Sequence, residues 1–417
     1  MDRLATDGRR DNARGRGIGH GRGHERAHGR TGGRTEAGTA GRAVARALAG
    51  GRTPEGGPVA VLEAAAAALA GLVPYDLWAG VLLDPVTLLN VGGCYEHGVG
   101  AAWMPRLLDI EYREGDALLM PALARQPCPV GTLTTALDGR LERSVRYRDI
   151  YRPLGLADEM RVLLRDAGRV WGALVLVRSA DRPPFSAAET ATAARLSGPL
   201  GRALRDSLTE RPAGPGLDVR ALVVLDARYE TVTESTTAAA WYAELAETPA
   251  RGTGLPAAAY GVAAAALSSP TGGSRVCVPT RSGGWAAIEG WRLETGDGAR
   301  IALSLGPASP PDRVAALMEA YALSPRECQI LAHVVSGAPT NEIASRLALS
   351  PFTVQDHLKS VFAKTGVRSR RELVSQVFFS HYLPDLPLTG PGPEAGAGER
   401  AGAAAATARA SGPARPA

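Results

Sequence analysis

Lysine is almost missing from this chain: of 47 basic residues only Lys359 and Lys364 are lysines, and the rest are arginine. Cysteine is sparse as well. Cys94, Cys128, Cys277 and Cys328 lie far apart with no CxxC pair, which argues against a disulfide framework or a cysteine zinc site. No stretch approaches the roughly 18 consecutive apolar residues of a membrane span. The N-terminus has no apolar run behind its charges, so no secretory signal is expected and the chain reads as cytoplasmic. Residues 98–332 contain no histidine.

What is present is length and uneven charge. At 417 residues and 45% hydrophobic, the chain should form two or three domains with real cores. Its net charge is +5. Residues 1–53 carry twelve arginines against five acids, residues 322–383 carry +3, and the stretch from 384 is neutral, which leaves −5 on the middle. A mildly acidic body between two basic segments points to a polyanionic partner. Both lysines fall within six positions of one predicted helix.

Residues 1–53 are rich in glycine and arginine, residues 384–417 in proline, glycine and alanine, and both read as disordered. From 54 to 210 the pattern is mixed: an alanine-rich helix over Val59–Leu72, strands near Leu77–Leu83 and Thr87–Val91, and a largely irregular or helical middle. Two strong strands, Met160–Leu164 and Val170–Val177, follow around an Asp166-Ala167-Gly168 turn. Ser186-Ala-Ala-Glu189 is a capping box that opens a helix to about Leu208. After a linker at Arg211–Gly216, residues 216–309 read β-β-α-α-β-β-β, with strands near 221–225, 229–233, 274–279, 285–293 and 300–305.

From Asp312 the pattern is wholly helical. Ser324-Pro-Arg-Glu327 and Ser369-Arg-Arg-Glu372 are capping boxes, Gly337 ends the first of four helices, and Ser350-Pro351 opens the third. In that third helix Val354, Leu358, Val361 and Phe362 share one face. Gln355, Asp356 and Lys359 share the other, with Lys364 toward its end. Two short helices joined by a tight turn, the second polar outward, have the geometry that enters a major groove. Gln suits adenine, Lys suits guanine and Asp suits cytosine N4. Thr340, Thr353, Lys364, Arg368 and Arg370 are the candidate phosphate donors. A small helical bundle with an ordinary solvated face has the same periodicity.

The residues distinguish the two. Leu323-Ser-Pro-Arg-Glu-Cys-Gln-Ile-Leu, Asn341-Glu-Ile-Ala-Ser-Arg-Leu, Ser350-Pro-Phe-Thr-Val-Gln-Asp-His-Leu-Lys and Lys364-Thr-Gly-Val-Arg-Ser-Arg-Arg-Glu-Leu resemble the LuxR-type helix-turn-helix family over about sixty residues. The resemblance implies base contacts from Gln355, Asp356 and Lys359 and a dimer-forming fourth helix, here with Leu373, Val377 and Phe378. Position 355 is often basic in that family; here it is glutamine followed by aspartate.

The segment 54–210 resembles actinobacterial GAF-like regulators through Asp84-Pro-Val-Thr-Leu-Leu, Gly131-Thr-Leu, Arg143-Ser-Val-Arg-Tyr-Arg, Tyr151-Arg-Pro-Leu-Gly and Val170-Trp-Gly-Ala-Leu. Residues 217–306 are similar to a PAS domain. The fold class expected is therefore multidomain α+β: GAF-like and PAS-like antiparallel-sheet sensor domains, then an all-α four-helix LuxR-type domain at 312–383. The resemblances imply a regulator without catalysis that binds double-stranded DNA as a homodimer, with RNA polymerase and a small-molecule effector as candidate partners.

No cofactor is expected. A PAS-type haem has no histidine within 217–306, and Cys277 lacks the motif of a photoadduct cysteine. Trp78, Tyr95, Trp103 and Trp171 could line a pocket, with core packing the expected role for most of them. His24-Glu-Arg-Ala-His28 matches H-E-x-x-H but sits among glycines with no apolar stripe to anchor a helix, so no metal site is expected. The acids Asp109, Glu111, Glu114 and Asp116 read as a solvated face. Two rival functions stand beside the regulator: an enzyme in the GAF-like half, and a non-specific nucleic-acid binder driven by the arginine-rich tail.

Overall fold

The computed structural model describes residues 56–95, 97–209, 217–245, 255–296 and 298–381, with only the backbone described at Ala101, Thr295 and 376–381. The arginine-rich segment with its H-E-x-x-H match, the linker expected at 211–216 and the stretch from 384 lie outside the described residues.

Two five-stranded antiparallel sheets dominate the first three hundred residues. The first contains β1 (Leu77–Leu83), β2 (Asn90–Cys94), β3 (Val130–Thr132), β4 (Leu156–Asp166) and β5 (Arg169–Ser179), in the order 2-1-5-4-3. The second contains β6 (Ala221–Leu225), β7 (Thr231–Glu234), β8 (Gly273–Pro279), β9 (Trp285–Thr295) and β10 (Gly298–Pro307), in the equivalent order 7-6-10-9-8. The expected antiparallel-sheet half and all-α end are both observed, so the α+β reading holds.

The strongest expected hairpin forms as the turn residues dictate. Asp166 pairs with Arg169, and Ala167 and Gly168 between them have φ of 50° and 76°. Two left-handed residues in a two-residue loop match the twist of the flanking strands. The weaker expectations at Thr87–Val91 and 229–233 place the strand starts too early, for one shared reason. In each sheet an aspartate after the first strand folds the chain back on itself. Asp84 Oδ1 accepts from the N–H groups of Val86 and Thr87, and Asp226 Oδ1 from those of Arg228 and Glu230. Leu88 and Tyr229 then take left-handed φ of 59° and 66°. Side-chain acceptors that mimic a turn carbonyl consume residues that β-propensity alone would assign to a strand.

Helix α1 (Gly57–Ala70) packs against the long helix α5 (Ala187–Thr209), which lies across β4. The expected box at Ser186 caps α5: Glu189 N–H donates to Ser186 Oγ at 3.3 Å and Ser186 N–H donates to Glu189 Oε2 at 2.8 Å. Gly201 permits the close approach, because a Cβ there would stand 2.5 Å from the backbone of Arg165. Between α1 and α5 run the short helices α2 (Met104–Asp109), α3 (Met120–Ala124) and α4 (Leu133–Ala136).

The two sheets share one core. A single buried cluster runs from Leu62, Trp171 and Leu174 in the first region to Val262, Ile288 and Leu303 in the second. Helix α6 (Ala238–Leu245) contributes Trp241, and the alanine-rich α7 (Ala257–Ser268) is buried on almost every side, between β8, β9 and β2. A helix apolar all round belongs inside. Tyr229 Oη donates to Asp109 Oδ1 at 2.7 Å and Ser268 Oγ to the Tyr112 carbonyl at 2.9 Å, both across the same junction.

Five helices follow: α8 (Pro310–Ala320), α9 (Pro325–Val335), α10 (Thr340–Arg346), α11 (Pro351–Thr365) and α12 (Arg370–His381). Ser309 and Asp312 form a capping box, so the Ser-Pro-Pro sequence that closes the second sheet also opens α8. The last four helices enclose their own small core of Ile330, Leu331, Val334, Ile343, Val354, Leu358, Val361 and Leu373.

Candidate nucleic-acid interface

Local sequence fixes the geometry of α9 to α11. Ser324 caps α9 and Ser350 caps α11, each with proline in the first turn, where its missing N–H costs nothing. Gly337, with φ of 85°, ends α9. The turn between α10 and α11 bends at Ala348, a left-handed non-glycine residue with φ of 53°. It is held by Leu349 N–H on the Ala344 carbonyl at 2.8 Å and by Arg326 Nη2 on the Leu347 carbonyl at 2.6 Å. Two short helices joined by a tight turn, with α11 packed on both α9 and α10, make a helix-turn-helix.

Helix α11 has two faces. Val354, Leu358 and Val361 are buried; Gln355, Asp356 and Lys359 are exposed together on the outer side. Lys359 Nζ donates to Asp356 Oδ1 at 3.1 Å, with both side chains about three-quarters exposed (75% and 74%). An exposed pair of this kind is worth about 0–1 kcal/mol and is readily exchanged for another partner. Phe352, one turn earlier on the same side, is 81% exposed.

The five expected phosphate donors divide. Arg368 is exposed, and Thr340 and Thr353 are half-buried at the starts of α10 and α11. Lys364 and Arg370 are engaged inside the domain. Lys364 Nζ donates to Glu327 Oε2 at 2.7 Å and to the Ala322 carbonyl at 3.0 Å. Arg370 Nη2 reaches the Ala338 carbonyl at 2.5 Å. Glu327 is the meeting point, since it also accepts from Ser324 N–H at 2.6 Å and Ser360 Oγ at 2.7 Å. Burial alone would raise its pKa, but the donors from Lys364, Ser324 and Ser360 outweigh that and bring it down to about 2. Of the expected dimerisation residues Leu373 is buried in the domain core, while the side chains of Val377 and Phe378 lie outside the described residues.

Two features of the sheet half escaped the sequence reading. The acidic run is not a solvated face. Glu111, in a π-helical turn (Ile110–Glu114), and Asp116, just beyond it, are buried, as is Arg146, which leads into a second π-helical turn (Tyr147–Tyr151). Arg161 bonds Glu111 at 2.7 Å and Glu159 more closely, and Arg146 bonds Glu159 at 3.0 Å. Burial raises the carboxyl pKa of Glu111 and of Glu159, and Arg146 opposes it in both. Asp109 and Glu114, the other two acids, pair with Arg113 and Arg106 nearer the surface.

The second feature is a cavity of about 310 Å³ where both sheets meet α8. Its walls include Trp171, Cys277, Trp285 and Ala316. Arg275 bonds Asp312, and Arg169 bonds Glu319 at 3.0 Å, so α8 is tied to both sheets beside it. Burial, helped by Asp312 and Asp84, pushes the Cys277 thiol up to about 12. Trp171 is thus both a core residue and a wall. Trp78 and Tyr95 line a smaller cavity of about 100 Å³ inside the first sheet region, with Trp78 stacked on His97. Trp103 packs in a separate apolar cluster.

Comparison with known proteins agrees with the geometry of the C-terminal helices. The family of bacterial regulatory proteins called the luxR family matches residues 321–377, so this part of the chain is a LuxR-family helix-turn-helix domain. HTH-type transcriptional regulators of Mycobacterium bovis (Mb0914c) and Mycobacterium tuberculosis (MT0914) are each 44% identical over 54 residues. That stretch is 13% of this chain, and the chain spans only 6% of the length of these curated relatives. Among solved structures, a GAF domain/HD domain protein from Geobacter sulfurreducens is 21% identical, covering 36% of this chain and 95% of that one, at a TM-score of 0.27. Vibrio cholerae VqmA is 16% identical, covering 25% and 52%, at a TM-score of 0.14.

Proposed function

We propose that the protein is a sequence-specific DNA-binding transcriptional regulator that acts as a cytoplasmic homodimer and reads base edges with α11. The observation that carries this reading is the exposed stripe of Gln355, Asp356 and Lys359, set opposite the buried Val354, Leu358 and Val361 within a LuxR-family helix pair. These three side chains are the base contacts, Thr340, Thr353 and Arg368 hold phosphates, and Lys364 and Arg370 hold the helices in register. Lys359→Ala is expected to relax preference at one base pair, at a cost of about 1–3 kcal/mol. A selected-site profile unchanged by that substitution contradicts the docking.

Deleting residues 1–53 separates the regulator from its non-specific rival. A regulator keeps its sequence preference, whereas a tail-driven binder loses its affinity. A turnover screen of the full chain tests the enzymatic rival.

The sheet half is the sensing half in this reading, and the cavity of about 310 Å³ is where a small, largely apolar effector would act, because its walls include α8, the element that leads into α9. Ala316→Trp, which fills that space, is expected to change DNA affinity while the preferred sequence stays the same. A variant with unaltered affinity argues against the cavity as the sensing site.

A further inference from the structure

The outer face of α11 includes one side chain that polar recognition does not use. Phe352 is the most exposed large apolar residue among those described, at 81%. It lies outside the apolar cluster of its own domain, and its neighbours Ser350, Pro351 and Gln355 are exposed as well. An aromatic ring left in water forgoes the burial that most such rings obtain. Its position is equally specific. Phe352, Gln355, Asp356 and Lys359 stand at i, i+3, i+4 and i+7, so the ring continues the stripe of base-reading side chains toward the helix N-terminus. The N-terminal residues of a reading helix are the ones that reach base edges.

The major groove presents one apolar group, the 5-methyl of thymine, and phenylalanine is among the side chains that pack on it. We propose that Phe352 reads a thymine through that methyl group, an apolar specificity contact beside the three polar ones. The inference rests on the DNA-reading function proposed above. Seven residues of helix advance about 10.5 Å, so the thymine lies within about three base pairs of the one contacted by Lys359.

The test uses the full chain and its own selected duplex. Each thymine of the site is replaced in turn by deoxyuridine, which removes the methyl and leaves every hydrogen-bonding group in place. The expected result is a loss of about fourfold in affinity at one thymine per half-site, the factor that corresponds to burying one methyl-sized group. In Phe352→Ala the same replacement should cost nothing, and in Phe352→Leu it should cost part of the wild-type loss. Because the ring is exposed, neither substitution opens a cavity in the domain. A selected site with no thymine within reach, no deoxyuridine effect, or an effect that persists in Phe352→Ala overturns the assignment while sequence-specific binding stands. Equal affinity for selected and scrambled duplexes overturns the DNA-reading function itself.

Discussion

Lys364 Nζ donates to Glu327 Oε2 at 2.7 Å, so the last turn of α11 is pinned to the first turn of α9 by an ion pair whose carboxylate is almost fully buried. That carboxylate also completes the cap of α9. One group thus starts a helix and fixes the angle of the next helix but one.

The pair makes the helical domain acid-sensitive. The carboxyl of Glu327 titrates at about 2 in the fold, against about 4.3 in an unfolded chain. A depressed carboxylate contributes stability that is complete above the unfolded value and is lost as pH falls through the folded one. Thermal melts should therefore show wild-type stability dropping between about pH 4 and pH 2, with a smaller drop in Glu327→Gln. Parallel profiles for the two proteins count against the pairing.

Arg368 and Arg370 should separate cleanly. Arg368→Ala is expected to leave the melting temperature unchanged and to reduce the salt slope of DNA binding by about one. Arg370→Ala removes a donor to the Ala338 carbonyl, so it should lower stability by about 1–3 kcal/mol and leave the slope alone. The reverse assignment of effects would restore Arg370 to the phosphate contacts.

Arg146 holds Glu159 in the interior of the first sheet region. Arg161 still bonds Glu159 when Arg146 is removed. Among the described residues it is then the one cation left to the buried acids Glu111, Asp116 and Glu159, and unbalanced buried charge typically costs about 3–5 kcal/mol. Denaturant unfolding of Arg146→Met should show a loss of that order. A loss under about 1 kcal/mol indicates that water reaches the network.

Cys128 is exposed and Cys94 buried, whereas Cys277 faces a cavity with its thiol held protonated. At pH 8, iodoacetamide should modify Cys128 quickly and Cys277 far more slowly, as mass spectrometry of the peptides can follow. Equal rates at both would show that the Cys277 thiol is neither buried nor raised.

The parts legible in the sequence are those that neighbouring residues decide. The boxes at Ser186 and Ser324 cap where expected, the Ala167-Gly168 turn sets its hairpin, and the apolar spacing of α11 identifies the buried face. The illegible parts depend on partners distant in sequence. Glu111 and Arg161, fifty positions apart, look like surface charges until the fold brings them together. Lys364 and Arg370 lie among basic residues that do face solvent, and only tertiary contacts with Glu327 and Ala338 set them apart. The late strand starts after Asp84 and Asp226 were readable in principle, since an aspartate whose side chain can accept from N–H groups two to four residues on signals a turn. Phe352 was visible too, but its ring draws attention only when its exposure is known.

Discrimination between sequences by α11 is measured most directly by the ratio of dissociation constants for a selected duplex and its scrambled counterpart. At one fixed salt concentration the intact chain should prefer the selected duplex by about a thousandfold or more, and Lys359→Ala should narrow that gap by about ten- to a hundredfold. Equal dissociation constants for the two duplexes would contradict the account.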